Sequence, residues 1–262
     1  MRYSAKETRS VIDIALAHKT RFLVSALGTP PDYVIQAAHA KGVPVGALAG
    51  QKKHALRHQA AGVDVIIAQS YEAGGHTGDI GGMVLIPEIV AAIAPTPVLA
   101  AGGVMGGRQM AAALALGAQG VWCGSVWLTT VESELERLAK EKLLAADTRD
   151  TARSRSLTGK HARFLKSLWT EEWDRPDTPD PLPAPLQPML YSRMMRRVNR
   201  AMRAPGASAE SGAYQLYSYP VGQGVGQMNT IRSAREVVRE MVTDYVGTVM
   251  KLNDELGKGE GK

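Results

Sequence analysis

Residues 63–78 read VDVIIAQSYEAGGHTG. The first half, VDVIIAQS, is almost continuously apolar, and the second half is rich in glycine with one histidine, His76. A short continuous apolar run is typical of a strand that is covered on both faces, as in parallel sheets. The stretch therefore predicts a buried parallel strand whose carboxyl end opens into a loop that carries His76.

The same pattern recurs on both sides of this stretch. Apolar runs that predict strands alternate with helical patterns, and several of the predicted helices end on glycine before the next strand begins. The other predicted strands are residues 21–28, 43–49, 97–103 and 119–125, and the predicted helices are residues 30–42, 51–62 and 108–118. Alternation of this kind predicts an α/β fold with a parallel sheet.

The pattern changes after residue 130. A segment with six prolines, residues 175–188, predicts an extended stretch that crosses a surface, because proline is excluded from regular helices and central strands. Helices are predicted at 132–146, 191–204 and 233–252, with a glycine-rich loop at 219–229. We therefore expect two regions, an α/β region over residues 1–146 and a helical, lid-like region over residues 147–262.

Composition narrows the class of protein. The chain has 262 residues, of which 45% are apolar and 21% charged, as in globular proteins. No apolar run is long enough for a membrane span, and a single cysteine, Cys123, suits a reducing cytoplasm. The net charge of +6 comes without zinc spacing or an RNA-binding motif, so an anionic small molecule is a better expectation than nucleic acid.

Glycine-bearing loops follow the last two predicted strands. The carboxyl ends of strands carry the working loops of α/β folds, and glycine lets a backbone approach a ligand closely. Glycine N–H groups in two such loops are typical of a phosphate site, so the candidates are Gly102, Gly103, Gly124 and Ser125. The alternative is that these glycines only form tight turns.

His76 is the candidate for proton transfer, because imidazole exchanges protons near neutral pH. The other five histidines are expected to be solvated or to form local hydrogen bonds. Spacing alone leaves both possibilities open for His76.

The segments AQSYEAGGHTG (68–78) and PTPVLAAGGVMGGRQMAAALALGAQGVWCGSVWLTTVES (95–133), and later VGQGVGQ (221–227), resemble the nitronate monooxygenase family, also called 2-nitropropane dioxygenases. The resemblance implies an FMN-dependent (β/α)8 TIM barrel that oxidises alkyl nitronates with oxygen, without a metal. It implies that His76 is catalytic and that Gln223 faces the substrate. The implied cofactor-binding residues are Gln69, Gly74, Gly75, Ala101, Gly102, Gly103, Gly124 and Ser125.

Only five of the eight strands of such a barrel are found, and they match the last five. The expectation is a partial barrel with an added helical carboxyl-terminal region. A late start codon, a gene fragment or completion by a partner subunit, such as a second copy in a homo-oligomer, would each explain this. We expect the chain alone to bind FMN weakly, since a five-strand arc leaves unpaired edges.

Other functions stay open. One alternative is an FMN-dependent reductase or dehydrogenase of an acyl-CoA substrate, for which the basic helix at 191–204 could meet the anionic coenzyme tail. Another is a truncated, non-catalytic fragment. A flavin-free sugar-phosphate enzyme is disfavoured, because the strand ends lack a carboxylate or lysine.

Overall fold

The structure is a computed structural model that describes residues 5–257. These residues divide into two compact units. The first unit contains the chain up to Tyr71, together with Gly78–Ala101 and Ala113–Trp122. The second contains Glu72–Thr77, Gly102–Ala112 and the chain from Cys123 onward.

The first unit is built on a five-stranded sheet in which neighbouring strands are parallel and follow chain order. Its strands are β1 (Leu23–Ser25), β2 (Val45–Ala49), β3 (Val65–Gln69), β4 (Val98–Ala101) and β5 (Gly120–Trp122). Its helices are α1 (Ala5–Ala17), α2 (Asp32–His39), α3 (Lys52–Ala60) and α4 (Gly82–Ile93), and α5 (Gly107–Ala115) ends in this unit.

The core of the first unit explains the apolar character of its strands. Ile66 and Ala68 of β3 are fully buried, as are Leu85 and Ile89 of α4, and all belong to one hydrophobic cluster. Strands with both faces covered have no need of polar alternation. The predicted α/β fold with a parallel sheet is therefore confirmed, and each of the five predicted strands is present in a shorter form.

The second unit contains helices and a small antiparallel sheet that the sequence analysis does not predict. Strands β6 (Thr151–Ser154) and β7 (Ala162–Leu165) form a hairpin. The helices are α6 (Arg137–Leu144), α7 (Leu168–Trp173), α8 (Leu186–Met202), α9 (Gly212–Leu216) and α10 (Ala234–Gly257). The predicted division of the chain at residue 146 stays a prediction.

One expectation about the proline-rich segment is wrong at its end. Residues 175–188 were expected to contain no helix, but α8 begins at Leu186 and includes Pro188. The N–H groups of a first helical turn have no partner within the helix, so proline costs little there. The rest of the segment, up to Pro185, lies outside regular helix and strand.

Candidate functional site

The loop that carries His76, residues 72–77, is called the histidine loop below. Backbone hydrogen bonds hold it on two sides within the second unit. The N–H of Gly75 donates to the carbonyl of Arg163 over 2.9 Å, and the N–H of Arg163 donates to the carbonyl of Gly75 over 2.7 Å. The N–H of Gln223 donates to the carbonyl of Glu72 over 2.9 Å. The histidine loop is therefore fixed both to β7 and to the glycine-rich loop at 219–229.

Two glycines allow this second attachment. A Cβ on Gly74 would lie 2.6 Å from the carbonyl carbon of Val221, and a Cβ on Gly222 would lie 2.7 Å from the carbonyl oxygen of Glu72. Such distances exclude any side chain unless the backbone moves. Gly74 is thus explained by packing against another stretch of backbone.

Gly75 and Gly124 are different, because a Cβ on either residue would meet no atom within 4 Å. Gly75 has a φ of +77°, which favours glycine for conformational reasons. Gly124 has a φ of −118°, so no conformational reason requires glycine there. Open space beside a glycine without a strained φ is a place where a ligand could approach the backbone closely.

The ring of His76 is half-buried, and its Nε2 lies 3.1 Å from Oγ1 of Thr158. The single proton of that hydroxyl is donated to the carbonyl of Lys160 over 2.9 Å. With its proton on the carbonyl of Lys160, Thr158 can only accept from His76, and the neutral ring then carries its own proton on Nε2. Among the described residues, Nδ1 of His76 has no hydrogen-bond partner, which leaves its lone pair available.

The pKa of His76 is lowered from its ordinary value. Burial is the larger cause, because it disfavours the charged ring, and the positive charge of Lys160 adds to it. Both causes keep the imidazole neutral at neutral pH. A neutral ring with an unoccupied Nδ1 is the form that can accept a proton.

The candidate phosphate-binding residues of the second unit are linked through Glu72 and Gly222. A Cβ added to Gly103 would lie 3.5 Å from the Cβ of Glu72. The N–H of Gly222 donates to Oγ of Ser125 over 2.8 Å. Gly102 and Gly103 have φ values of +105° and +71°. Among the described residues, the N–H groups of Gly103 and Gly124 donate no hydrogen bond.

The first turn of a helix can attract an anion, but at α5 one of these N–H groups has an internal partner. The N–H of Arg108, in the first turn of α5, donates to a carboxylate oxygen of Asp244 over 2.9 Å. A Cβ on the neighbouring Gly107 would lie 2.1 Å from the backbone nitrogen of Tyr245, so α10 covers this helix end. The loop donors of Gly103 and Gly124 are thus better placed to receive an anion than the start of α5.

The remaining candidates fall in different places. Gln223 uses its backbone N–H to hold the histidine loop, and its half-buried side chain has no hydrogen-bond partner among the described residues. Gln69 and Ala101 are paired neighbours at the carboxyl ends of β3 and β4, in the first unit. The other eight candidates, Gln223 included, all lie in the second unit.

Sequence reasoning missed three residues near His76. Thr158 bonds its ring, Lys160 lowers its pKa, and Arg153 donates from Nη2 to the carbonyl of Thr77 over 3.3 Å. The sequence feature that could have identified Thr158 and Lys160 is SLTGKHARF (156–164). Its glycine indicates a turn, and a turn would bring the threonine and the lysine close together.

Other chemistry is not supported by the described part of the chain. Burial raises the pKa of the Cys123 thiol to about 11, so it is not a ready nucleophile. Residues 5–257 contain no group of three or more metal-ligating side chains. Within the same residues, every helix is too short or too polar to cross a membrane.

Comparison with known proteins gives a family match over most of the chain. A family model described as nitronate monooxygenase matches residues 2–244. A putative monooxygenase of Mycobacterium tuberculosis is 56% identical over 249 residues, which are 95% of this chain and 65% of that protein. This chain therefore spans just under two thirds of that relative's length.

Two solved structures resemble this one. Nitroalkane oxidase from Streptomyces ansochromogenes matches with a TM-score of 0.82 at 28% identity, over 94% of this chain and 70% of that one. FabK from Thermotoga maritima matches with a TM-score of 0.78 at 26% identity, over 96% of this chain and 76% of that one.

Proposed function

The chain belongs to the nitronate monooxygenase family, and from that premise we propose that it binds FMN and oxidises alkyl nitronates with oxygen. His76 is the proposed proton acceptor. The observation that carries the proposal is the state of its ring, which is held by Thr158 at Nε2, is neutral at neutral pH and has no partner at Nδ1 among the residues that the structure describes.

The residues of the second unit fit a phosphorylated flavin. Gly103 and Gly124 offer N–H groups that have no partner among residues 5–257, and within the same residues open space lies beside Gly124. Ser125 accepts a hydrogen bond from Gly222, so its own hydroxyl proton remains to be donated. Together with Gly102, these residues would hold the phosphate, and donors of this kind suit an anion. Gly74 and Gly75 complete the proposed cofactor set within this unit, and the roles of Gln69 and Ala101 in the first unit stay predictions from the family resemblance.

The chemistry that FMN supplies when bound is the acceptance of electrons from the substrate carbon and their transfer to oxygen. The part played by the protein is positioning and proton transfer. When the substrate arrives as the neutral nitroalkane, His76 would accept at Nδ1 the proton of the carbon next to the nitro group, which forms the nitronate, while Thr158 holds the opposite nitrogen. A nitronate supplied as such needs no proton transfer to His76. Gln223 contributes a side-chain amide that can donate a hydrogen bond to the nitro oxygens.

We also propose that the five parallel strands are an arc of a (β/α)8 barrel. Their order in the sheet is the chain order, as a barrel requires, and the solved nitroalkane oxidase supports the same arrangement. Completion of the sheet by further strands, or by a second copy of this chain, would cover the edges of β1 and β5.

A second candidate function has an observation in its favour. Arg193 and Arg197 of α8 border an apolar cavity of about 680 Å³ that is also lined by Trp169 and Leu190. A cavity with apolar walls and two cations suits a ligand with an acyl chain and an anionic group. Reduction or dehydrogenation of an acyl-CoA substrate is therefore the alternative.

Two measurements test the proposal. The visible spectrum of the purified chain, before and after addition of FMN, reports flavin binding. Oxygen uptake with a preformed alkyl nitronate reports the reaction. Flavin binding with nitronate-dependent oxygen uptake is expected, whereas flavin binding without such uptake would favour the acyl-CoA alternative. Weak binding that needs added FMN agrees with the five-strand arc, whereas absence of flavin binding even with FMN in large excess would contradict both functions.

A further inference from the structure

We propose that Thr158 is a positioning residue for His76, and that the proline-rich segment (175–188) fixes the turn that carries Thr158. This inference rests on the proposed role of His76. It gives a structural role to the proline-rich segment, which the sequence predicts only to be an extended stretch that crosses a surface. The turn between β6 and β7, residues 155–161, is called the threonine turn below.

The hydroxyl of Thr158 has a defined set of partners. It donates to the carbonyl of Lys160 over 2.9 Å and accepts from the N–H of the same residue over 3.3 Å. Its remaining acceptor site faces Nε2 of His76 at 3.1 Å. Because the hydroxyl proton is already engaged, Thr158 selects the tautomer in which Nε2 is protonated and Nδ1 is free.

The threonine turn is closed by its own backbone and anchored in a small apolar cluster. The N–H of Gly159 donates to the carbonyl of Arg155 over 2.8 Å. Leu157, which is 1% exposed, packs with Ala162 and Phe164. The hairpin therefore fixes the position of Thr158 from one side, and the proline-rich segment fixes it from the other.

The second of these constraints is the proline-rich segment. Gly159 has a φ of +74°, and a Cβ there would lie 2.3 Å from the carbonyl oxygen of Leu182 and 2.8 Å from the backbone nitrogen of Ala184. The backbone of the segment thus lies directly on the turn, one residue from Thr158. Only a residue without a side chain permits this contact.

A buried glutamine joins the same two parts of the chain. Gln187 is fully buried, accepts a hydrogen bond from the N–H of Leu182 over 3.1 Å and donates to the carbonyl of Ser156 over 2.6 Å. Arg155 adds an ion pair with Asp180 at 3.6 Å. A buried amide with both ends engaged holds its partners in one geometry. The series of contacts runs from the proline-rich segment through the threonine turn to the ring of His76.

The first experiment compares Thr158→Val with Thr158→Ser. Nitrogen-15 NMR of the imidazole reports the tautomer of His76 whether or not the enzyme turns over, and the pH profile of kcat/KM with a neutral nitroalkane reports proton transfer to His76. Thr158→Val is expected to give a mixture of tautomers and a loss of kcat/KM of about tenfold, since one neutral hydrogen bond is removed. Thr158→Ser keeps the hydroxyl and is expected to stay within about twofold of the parent.

An unchanged tautomer and unchanged kinetics in Thr158→Val would overturn the inference, as would equal losses in both variants. Failure of the proposed function is distinguishable from this result. A parent chain without nitronate turnover would contradict the function, whereas the tautomer measurement would still decide the role of Thr158.

The second experiment compares Gly159→Ala with Gly206→Ala. Both glycines have positive φ, +74° and +79°, but a Cβ on Gly206 would meet no atom within 4 Å. The two variants therefore share the conformational cost, and only Gly159→Ala displaces the proline-rich segment. We expect a changed tautomer of His76 in Gly159→Ala and the parental tautomer in Gly206→Ala.

The parental tautomer in a folded Gly159→Ala protein would contradict the role of the proline-rich segment. Gln187→Met covers the case in which Gly159→Ala does not fold. It keeps a long side chain but removes the bonds to Leu182 and Ser156. A changed tautomer in this variant supports the role, and a parental tautomer with an intact near-UV circular dichroism spectrum overturns it.

Discussion

Two histidines, one in each unit, both contact a threonine hydroxyl but differ in how the fold occupies their ring nitrogens. His58, in α3 of the first unit, is 2% exposed, and its Nε2 lies 3.1 Å from the carbonyl oxygen of Leu48. A carbonyl only accepts, so Nε2 carries the proton and Nδ1 accepts from the hydroxyl of Thr29 over 2.9 Å. His76, in the second unit, also bonds a threonine, but through Nε2, and its Nδ1 has no partner among the described residues.

The difference separates a structural histidine from a candidate catalytic one. Burial lowers the pKa of both rings, so neither the pKa direction nor the threonine contact distinguishes them. The distinguishing feature is the number of ring nitrogens that the fold occupies. His58 has no lone pair to offer, whereas His76 keeps one and lies in a loop fixed by backbone bonds.

The largest expected effect is that of His76→Ala on turnover of a neutral nitroalkane. Removal of a general base typically costs about 10²–10⁴-fold in rate. Steady-state oxygen uptake at saturating FMN measures the loss. Flavin content should remain near that of the parent, because the proposed phosphate donors belong to other residues. Parallel loss of flavin and turnover would mark His76 as structural and break the comparison.

The next effect concerns His58→Ala, which should reduce stability instead of catalysis. The substitution leaves the carbonyl of Leu48 and the hydroxyl of Thr29 without their partner, at a cost of about 1–3 kcal/mol. Urea unfolding followed by circular dichroism measures this cost. Turnover per bound flavin should stay within a few-fold of the parent, and a hundredfold fall would show that the two histidines are not functionally different.

The same substitution made beside each ring sharpens the contrast. Thr29→Val should lower the free energy of unfolding by about 1 kcal/mol and leave kcat/KM unchanged. Thr158→Val should change kcat/KM with a smaller effect on unfolding, because its hydroxyl contacts are partly exposed. Urea midpoints and kcat/KM, measured on both variants, check the pair. If both variants lost similar stability and neither changed in kcat/KM, the assignment of His58 as structural and His76 as catalytic would be contradicted.

The smallest expected effect is a shift in pH dependence. The proposed base works as the neutral ring, so kcat/KM for a neutral nitroalkane rises with pH through the pKa of His76 and levels off above it. Lys160 lowers that pKa, so Lys160→Gln should raise it and move the acidic limb of the profile to higher pH. Lys166→Gln is the matched control without this effect. A shift to lower pH in Lys160→Gln would be inconsistent with the electrostatic account.

Local sequence patterns predicted the parallel α/β part of this molecule correctly. Buried strands appear as continuous apolar runs and helix ends as glycines, and both features can be seen in a few adjacent residues. Helix α4 was not assigned, and it contains Pro87, which normally argues against a helix interior. The hairpin β6–β7 was missed as well, since its residues were interpreted only as part of a helical region. The family resemblance is confirmed by the match over residues 2–244.

The candidate site was predictable only in part. The histidine loop and the glycines of the strand ends are adjacent to strands in sequence, so their positions follow from the fold class. Thr158 lies 82 residues from His76, and no local pattern connects them. The backbone of Val221 is by itself enough to require a glycine at position 74, whatever its role towards the cofactor, and no local pattern shows this. Contacts of this kind depend on tertiary packing, which composition and spacing do not encode.

The most direct test of the central claim, that His76 is the proton acceptor, is anaerobic flavin reduction followed by stopped-flow absorbance. The FMN-loaded parent and His76→Ala are each mixed with a neutral nitroalkane and with its preformed nitronate. Our account predicts that the variant is at least about 100-fold slower with the neutral compound, which must lose a proton, and close to the parent with the anion. Equal slowing with both substrates, or no slowing with either, would contradict it.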